Sequence, residues 1–585
     1  MSEPTRLPIV KIAAASAALA ATATFAYYML RKRNTETAQA AALRPLDPNL
    51  TPFERAKQLK ERGNALFSKQ NYQEAKKLFD ESVEVLKTCT MTPDQQQLLS
   101  TVYNNLSATS EFQNDLEGAL DYTKKALDIN KDYTKVYLRR ARIHRKLKKL
   151  DQAVLDGGYC LRLLQGTSDK ALEKVNREFL EDLSALTAKN IDSMFKKFFL
   201  TGQFLPISRL SVEEWTQKLA IHDPLLERLD NIKDEATYLN NMDQALQLFI
   251  EQDYIKALEQ AVHGALNKEL SVQDQLLCRL FAARIYLFAG LYKEVQFMTV
   301  NFTALWDKQS NEWQAEHRHL LLAFWALDVY LDPIDTTEAK LLQNSELLKN
   351  NVDPLVVLAN HCSRWGDYQK SITLIRLAKT LEPDHPDLEF HELSYQYYNA
   401  GKNQDMSGIH TACAAIDRYM QSHDLNAFKT LTVAKVFASL SNLDLALETL
   451  EKNKAVADKS ISYQLLHLLC YTEKNVANPE IMRTFQDNLA DLSRKDPNNH
   501  ELLALLSRHM GERKKYLESA ELALQALRGV RFIQEFTIRY QDVLAAFAFA
   551  GLPLPHEDFP PYAGPDHIKV TSEEWSKKFE ADNVA

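Results

Sequence analysis

The stretch LEGALDYTKKALDINKDYTKVYLRRARIHRKLKKLDQA, residues 116–153, decides how the chain folds. Ser107, Leu116, Ala119 and Ala126 recur 34 residues later as Ala141, Leu150, Ala153 and Cys160. Gly63, Tyr72, Ala75 and Ser82 carry the same frame upstream, displaced by 44 residues, and Phe79 falls on the same face. The extra ten residues are expected as an extended loop around Thr88–Gln97, which carries Thr, Pro and three consecutive glutamines. Each copy spaces as a helix, a turn and a second helix. The small residues let the two helices pack closely, and large residues of the next copy fill the remaining groove.

A 34-residue helix–turn–helix period is that of the tetratricopeptide repeat. The frame returns with Ala245, Tyr254, Ala257 and Ala261, and with Ala359, Tyr368, Ser371 and Ala378. It returns again with Ala434, Leu443 and Ala446, and with Ser507, Tyr516, Ser519 and Ala526. The apolar stretches 276–289 and 319–331 between them read as degenerate repeats. The expected fold class is all-α, a right-handed superhelical tetratricopeptide solenoid behind a single N-terminal transmembrane helix. Residues 53–165 form a three-repeat module, 166–235 a helical connector, and 236–550 a second array. Residues 551–585 are a Pro-rich tail in which TSEEWSKKFE reads as a short capped helix.

Bulk composition agrees. The 585 residues are 45% hydrophobic and 25% charged, ordinary for a globular chain, and contain only 15 glycines. Tight turns and phosphate-cradling loops draw on Gly, so its scarcity favours helices. A net charge of -8 gives no reason to expect a nucleic acid partner. Six cysteines show no CxxC or metal-ligand spacing and read as reduced thiols of a cytosol-facing protein.

The N-terminus departs from this pattern. After a short segment 1–11, Ile12 to Leu30 carries no charged residue. A helix of about 19 residues, at about 1.5 Å each, nearly crosses a hydrocarbon core of about 30 Å. Tyr27 and Tyr28 fall where an interfacial aromatic belt sits, and Arg31, Lys32 and Arg33 follow. A membrane anchor, a cleaved secretory signal and a mitochondrial presequence compete for this segment. The basic cluster favours the anchor and leaves the rest of the chain in the cytosol, with 31–52 as a basic, polar linker.

Most repeat positions only build core. Lys60, Asn64, Asn105, Lys135 and Arg139 exceed that need, each on the first helix of its repeat. Residues four apart on a helix share a face, so Lys60 with Asn64 and Lys135 with Arg139 form donor patches. Lys and Arg bind carboxylates by charge-assisted hydrogen bonds, and Arg adds a bidentate fork. The Asn amides donate without adding charge. Arg142 and Lys146 continue the stripe and extend the positive field. A peptide C-terminus with a neighbouring acidic side chain suits such a face.

The strings KERGN (60–64), NNLSA (104–108) and KVYLRR (135–140) resemble the dicarboxylate clamp of tetratricopeptide co-chaperones, with all five residues at clamp positions. The resemblance implies docking of the EEVD C-terminus of cytosolic heat-shock chaperones of the seventy- and ninety-kilodalton classes. Anchor, linker, clamp module and second array together resemble the mitochondrial outer-membrane import receptor family of about seventy kilodaltons. That likeness is close over residues 1–165 and architectural beyond. It implies a single-pass protein of the mitochondrial outer membrane, with the bulk of the chain facing the cytosol. It further implies mitochondrial preproteins as clients of the second array and outer-membrane translocase subunits as recipients. A chaperone-recruiting adaptor on the endoplasmic reticulum surface, a scaffold with incidental clamp residues, and a secreted protein remain as alternatives.

Catalysis finds no support: no GxSxG or HExxH string occurs. His317 and His319 stand two apart, which is not a joint-ligand spacing on a helix face. Gly157–Gly158 lies within a repeat helix, where close packing accounts for it. No cofactor, no metal and no enzymatic activity are expected.

Overall fold

A computed structural model describes residues 46, 48–88, 91–165, 171–199, 207–216, 221–232, 240–457, 460–530 and 533–555. The expected anchor at 12–30, the segment before it, most of the linker 31–52, Cys89 and the helix at 571–580 lie outside these residues. Among the described residues there is no strand, and no helix is long and apolar enough to cross a membrane. The fold is an all-α tetratricopeptide solenoid built of consecutive helix pairs. The described residues up to 188, with 547–554, make one compact unit, and 189–546 make another.

In the first unit α1 (Pro52–Ser68) pairs with α2 (Tyr72–Lys87), and α3 (Pro93–Phe112) with α4 (Leu116–Ile129). α5 (Thr134–Lys146) pairs with α6 (Leu150–Leu164), and α7 (Ala171–Phe199) follows. Capping boxes start α1 and α3: Thr51 with Glu54, and Thr92 with Gln95. Each box satisfies two backbone N–H groups that lack an intrahelical partner. The second box corrects the expected loop at Thr88–Gln97. Gln95–Gln97 are helical, and most of the extra residues lengthen α3 to 20 residues, against 13 in α5.

The frame residues Ala75, Ser82, Ser107, Ala119, Ala126, Ala153 and Cys160 are fully buried. They bring each second helix onto its first: Ser82 Oγ donates to Ala56 O at 2.8 Å, and Cys160 Sγ to Thr134 O at 3.9 Å. A Cβ added at Gly63 would stand 2.5 Å from the Phe79 ring. Residues 547–554 pack against α6 and α7. Arg162 Nη1 donates to Phe549 O at 3.1 Å, and Phe549 meets Phe179 edge-on. Gly158 is needed there, because its added Cβ would lie 2.6 Å from Ala548 Cβ.

In the second unit α8 (Arg209–Thr216) and α9 (Pro224–Asn231) precede the helix pairs. The pairs are α10/α11 (Asn241–Ile250, Tyr254–Leu266) and α12/α13 (Val272–Phe288, Tyr292–Trp306). Three helices, α14 (Asn311–Glu316), α15 (Arg318–Asp328) and α16 (Ile334–Gln343), come next. They are followed by α17/α18 (Asp353–Arg364, Tyr368–Leu381) and α19/α20 (Leu388–Lys402, Met406–Ser422). α21/α22 (Ala427–Ser439, Leu443–Lys452) and the short α23 (Lys454–Ala457) lead to α24/α25 (Ile461–Lys474, Pro479–Lys495). α26/α27 (His500–Glu512, Tyr516–Arg528) and α28 (Ile533–Ala550) complete the series.

One backbone feature marks these repeats. A residue with φ between 56° and 72° stands two positions before the second helix of nine pairs. These are Gln70, Asn114 and Lys148 in the first unit, and Gln252, Gly290, Gly366, Gln404, Ser441 and Lys514 in the second. Seven of the nine are not glycine, so the helix packing on either side holds a conformation that L-residues adopt rarely. Gly290 and Gln404 identify α12/α13 and α19/α20 as repeats, although their sequences fit the frame poorly.

The segment expected as a connector is folded into the second unit over residues 207–216 and 221–232. Buried Asp496 accepts from Ser208 Oγ (3.0 Å) and from the backbone N–H groups of Arg209 (3.1 Å) and Leu210 (3.2 Å). In return Glu213 on α8 accepts from Ile461 N at 2.7 Å and Ser462 N at 3.2 Å, capping α24. Asp353, at the start of α17, accepts from Ile221 N at 3.2 Å and His222 N at 2.7 Å.

Replacing Gly63 by Val forces Cγ atoms into the Phe79 ring. Chemical denaturation is expected to show a loss of about 1–3 kcal/mol in the stability of the first unit.

Candidate functional site

The first helices α1, α3 and α5 carry the polar residues picked out in the sequence, and side-chain hydrogen bonds run across all three. Asn105 Nδ2 on α3 donates to Asn64 Oδ1 on α1 at 2.8 Å. Arg139 Nε on α5 donates to Asn104 Oδ1 on α3 at 3.1 Å. Arg139 Nη1 reaches Glu111 Oε2 at 3.4 Å, and Lys146 Nζ reaches Glu111 Oε1 at 2.7 Å. Asn64 is thereby linked to Asn105, and Arg139 to the adjacent Asn104, across the three first helices.

Lys60 and Lys135 lie one helical turn from Asn64 and Arg139 on that face. Neither has an ion-pair or hydrogen-bond partner among the described residues. Lys135 and Arg142 are exposed, and Lys60 is half-buried. Arg139 differs: its side chain is 21% exposed. Burial lowers its pKa from the ordinary value, and the Glu111 carboxylate beside it works the other way. A guanidinium starts so high that it stays a cation. Its Nη2 has no protein acceptor among the described residues.

Two members of this face were not among the expected residues. Asn104 is buried beside Arg139, and Glu111 is 7% exposed yet paired to two cations. The signal for Glu111 is its position seven residues after Asn104, two turns along the same helix face. Lys146, expected to extend the positive field, is joined to Glu111, so its charge is offset locally. Other basic residues of α5 are structural. Arg140 holds buried Asp156 on α6 through bonds of 2.6–3.1 Å, and Arg145 holds Asp182 on α7 at 2.6 and 2.8 Å.

In the second unit His222, Glu382 and His385 bring possible ligand atoms within 4.8 Å of one another. His222 Nε2 lies 2.8 Å from Glu382 Oε1. His385 Nδ1 accepts from Asp387 N at 3.1 Å, which places the proton of the neutral ring on Nε2. Nε2 then carries an N–H and not the lone pair a metal ion needs.

Removing Arg140 leaves the Asp156 carboxylate buried without its partner. Arg140→Ala is expected to destabilise the first unit by about 3–5 kcal/mol, and Lys135→Ala by less than about 0.5 kcal/mol. Paired thermal and urea unfolding curves check the contrast.

Comparison with known proteins agrees with a tetratricopeptide chain. No protein-family model matches it. Protein unc-45 homolog B of Mus musculus is 25% identical over 271 residues, 45% of this chain and 28% of that protein. The mitochondrial import receptor subunit TOM70 of Rattus norvegicus is 25% identical over 252 residues, 41% of this chain and 39% of that receptor. The chain thus spans less than two-fifths of the length of these relatives. Among solved structures, the crystal structure of the yeast Tom70 is 16% identical, with a TM-score of 0.37. That match covers 86% of this chain and 96% of the yeast one.

Proposed function

We propose that this chain is a mitochondrial import receptor that docks cytosolic heat-shock chaperones and accepts hydrophobic preproteins from them. The observation that carries the reading is the α1–α3–α5 face, where Asn105 is bonded to Asn64 and Arg139 to Asn104 while Lys60 and Lys135 keep their ammonium groups unpaired among the described residues. Two carboxylates at the end of an extended peptide match this set. One meets Lys60 with the Asn amides, and the other meets Lys135 with the open side of Arg139. Charge-assisted hydrogen bonds of this kind contribute about 1.5–3 kcal/mol each. The EEVD terminus of the seventy- and ninety-kilodalton chaperones offers that pair of carboxylates. The partial identity to TOM70 of rat supports the mitochondrial setting.

In this reading residues 12–30 anchor the chain in the outer membrane, and residues from 34 onward face the cytosol. The second array holds the preprotein before it passes to translocase subunits. No bond is made or broken, so direction comes from the chaperone cycle and the downstream pore.

Two experiments test these points. Arg139→Ala and Lys135→Ala are each expected to weaken a synthetic EEVD-terminated peptide about ten- to a hundredfold in calorimetric titration. The affinity is expected to fall further as salt rises; unchanged binding in both variants rejects the clamp. Residues 1–45 fused to a fluorescent protein are expected to label mitochondria, whereas reticular staining assigns the chain to the endoplasmic reticulum.

A further inference from the structure

Residues 207–216 and 221–232 are bound in the second unit as a peptide ligand is bound. They lie against the first helices of the repeats. Trp215 sits edge-on or tilted among Phe249 of α10 and Phe281 and Phe288 of α12, with ring centroids 5.7–6.3 Å apart. Arg284 of α12 sits 4.8 Å from the Trp215 ring and donates to Asp223 at 3.2 Å. Leu225 and Leu226 of α9 are buried over α12 and α15. Arg228 reaches down to two acidic side chains, Asp243 of α10 at 2.8 Å and Asp274 of α12 at 2.5 Å.

The other end of the segment is held far along the array, by Asp496 and by the N-terminus of α24. Its two helices are only eight residues each, too short to be stable alone. Their order comes from the face they cover. That face offers an aromatic pocket, an apolar floor and an acidic pair, which is what a short amphipathic helix with one basic residue requires.

We propose that the helices α8 and α9, with the described residues beside them (207–216 and 221–232), are a resident occupant of the client-binding face. The clients that displace them are segments of the same chemistry: short helices with an aromatic or leucine face and an arginine or lysine for Asp243 and Asp274. The inference rests on the reading of the second array as client-binding and adds what the client must compete with.

The test supplies the segment in trans. Glu is placed at Arg228 of the full chain, where it faces Asp243 and Asp274 and releases α9. A fluorescein-labelled peptide of residues 221–232 is then titrated by anisotropy. The R228E chain is expected to bind it at least about tenfold tighter than the native chain, because the native face is already filled. A peptide that itself carries Arg228→Glu is expected not to bind. Hydrogen exchange over 221–232 is expected to quicken in the R228E chain. E213Q, which loosens α8 from α24 and leaves the receiving face intact, is a second route to the same release.

Equal peptide binding by native and released chains overturns the inference, as does unchanged exchange over 221–232 in both variants. A labelled hydrophobic preprotein separates this outcome from failure of the client reading. Binding to neither chain rejects the client role of the array. Equal binding to both, with no competition by the 221–232 peptide, rejects only the resident occupant.

Discussion

The close approach of the two helices within each repeat is the constraint on which the rest depends. Ala, Ser, Gly or Cys at the crossing lets the second helix sit on the first, and a left-handed residue in the turn sets the angle of return. Once that contact is made, each first helix has one face committed to its partner and another left outward. This is how Asn64, Asn105 and Arg139, spread over three repeats, come to one surface without any contact designed between distant parts of the chain. Local packing, repeated, does the work of long-range organisation.

The first-helix face is not a simple patch of positive charge. Glu111 is buried within it and takes one hydrogen bond from Arg139 and one from Lys146. Arg139 is thereby held in one rotamer before any ligand arrives, which lowers the entropy lost on binding. The same carboxylate repels a second negative group placed too near α3. In the proposed docking, selection rests on where a ligand's two carboxylates fall and not on net charge, which fits a chain that is acidic overall.

Much of this was legible in the sequence, and the reasons are specific. Tyr72, Leu116, Leu150, Tyr254, Tyr368, Leu443 and Tyr516 each open the second helix of a pair, as the frame predicts. The pair at Gln404 escaped because Tyr397, Ile409 and Ile416 stand where the other repeats carry small residues, whereas the stretch 276–289 before Gly290 reads as a degenerate repeat. The length of α3 escaped because three glutamines and a proline read equally as a loop, until Thr92 and Pro93 are seen as a helix start. The donors of the α1–α3–α5 face were visible because their spacing repeats. Glu111 was not, since a buried acid shows only when its cations are placed in three dimensions. The hold on residues 207–216 and 221–232 was invisible for the same reason: its partners Asp353, Ser460 and Asp496 lie over a hundred residues away.

The packing of residues 547–554 against α6 and α7 bears on how the protein is made. The bond from Arg162 to Phe549 closes a separation of 387 residues. The three repeats that carry the polar face precede the second array along the chain, yet the Gly158 side of α6 is covered by residues that follow that array. The first unit therefore completes its packing only after residues 189–546 have been translated.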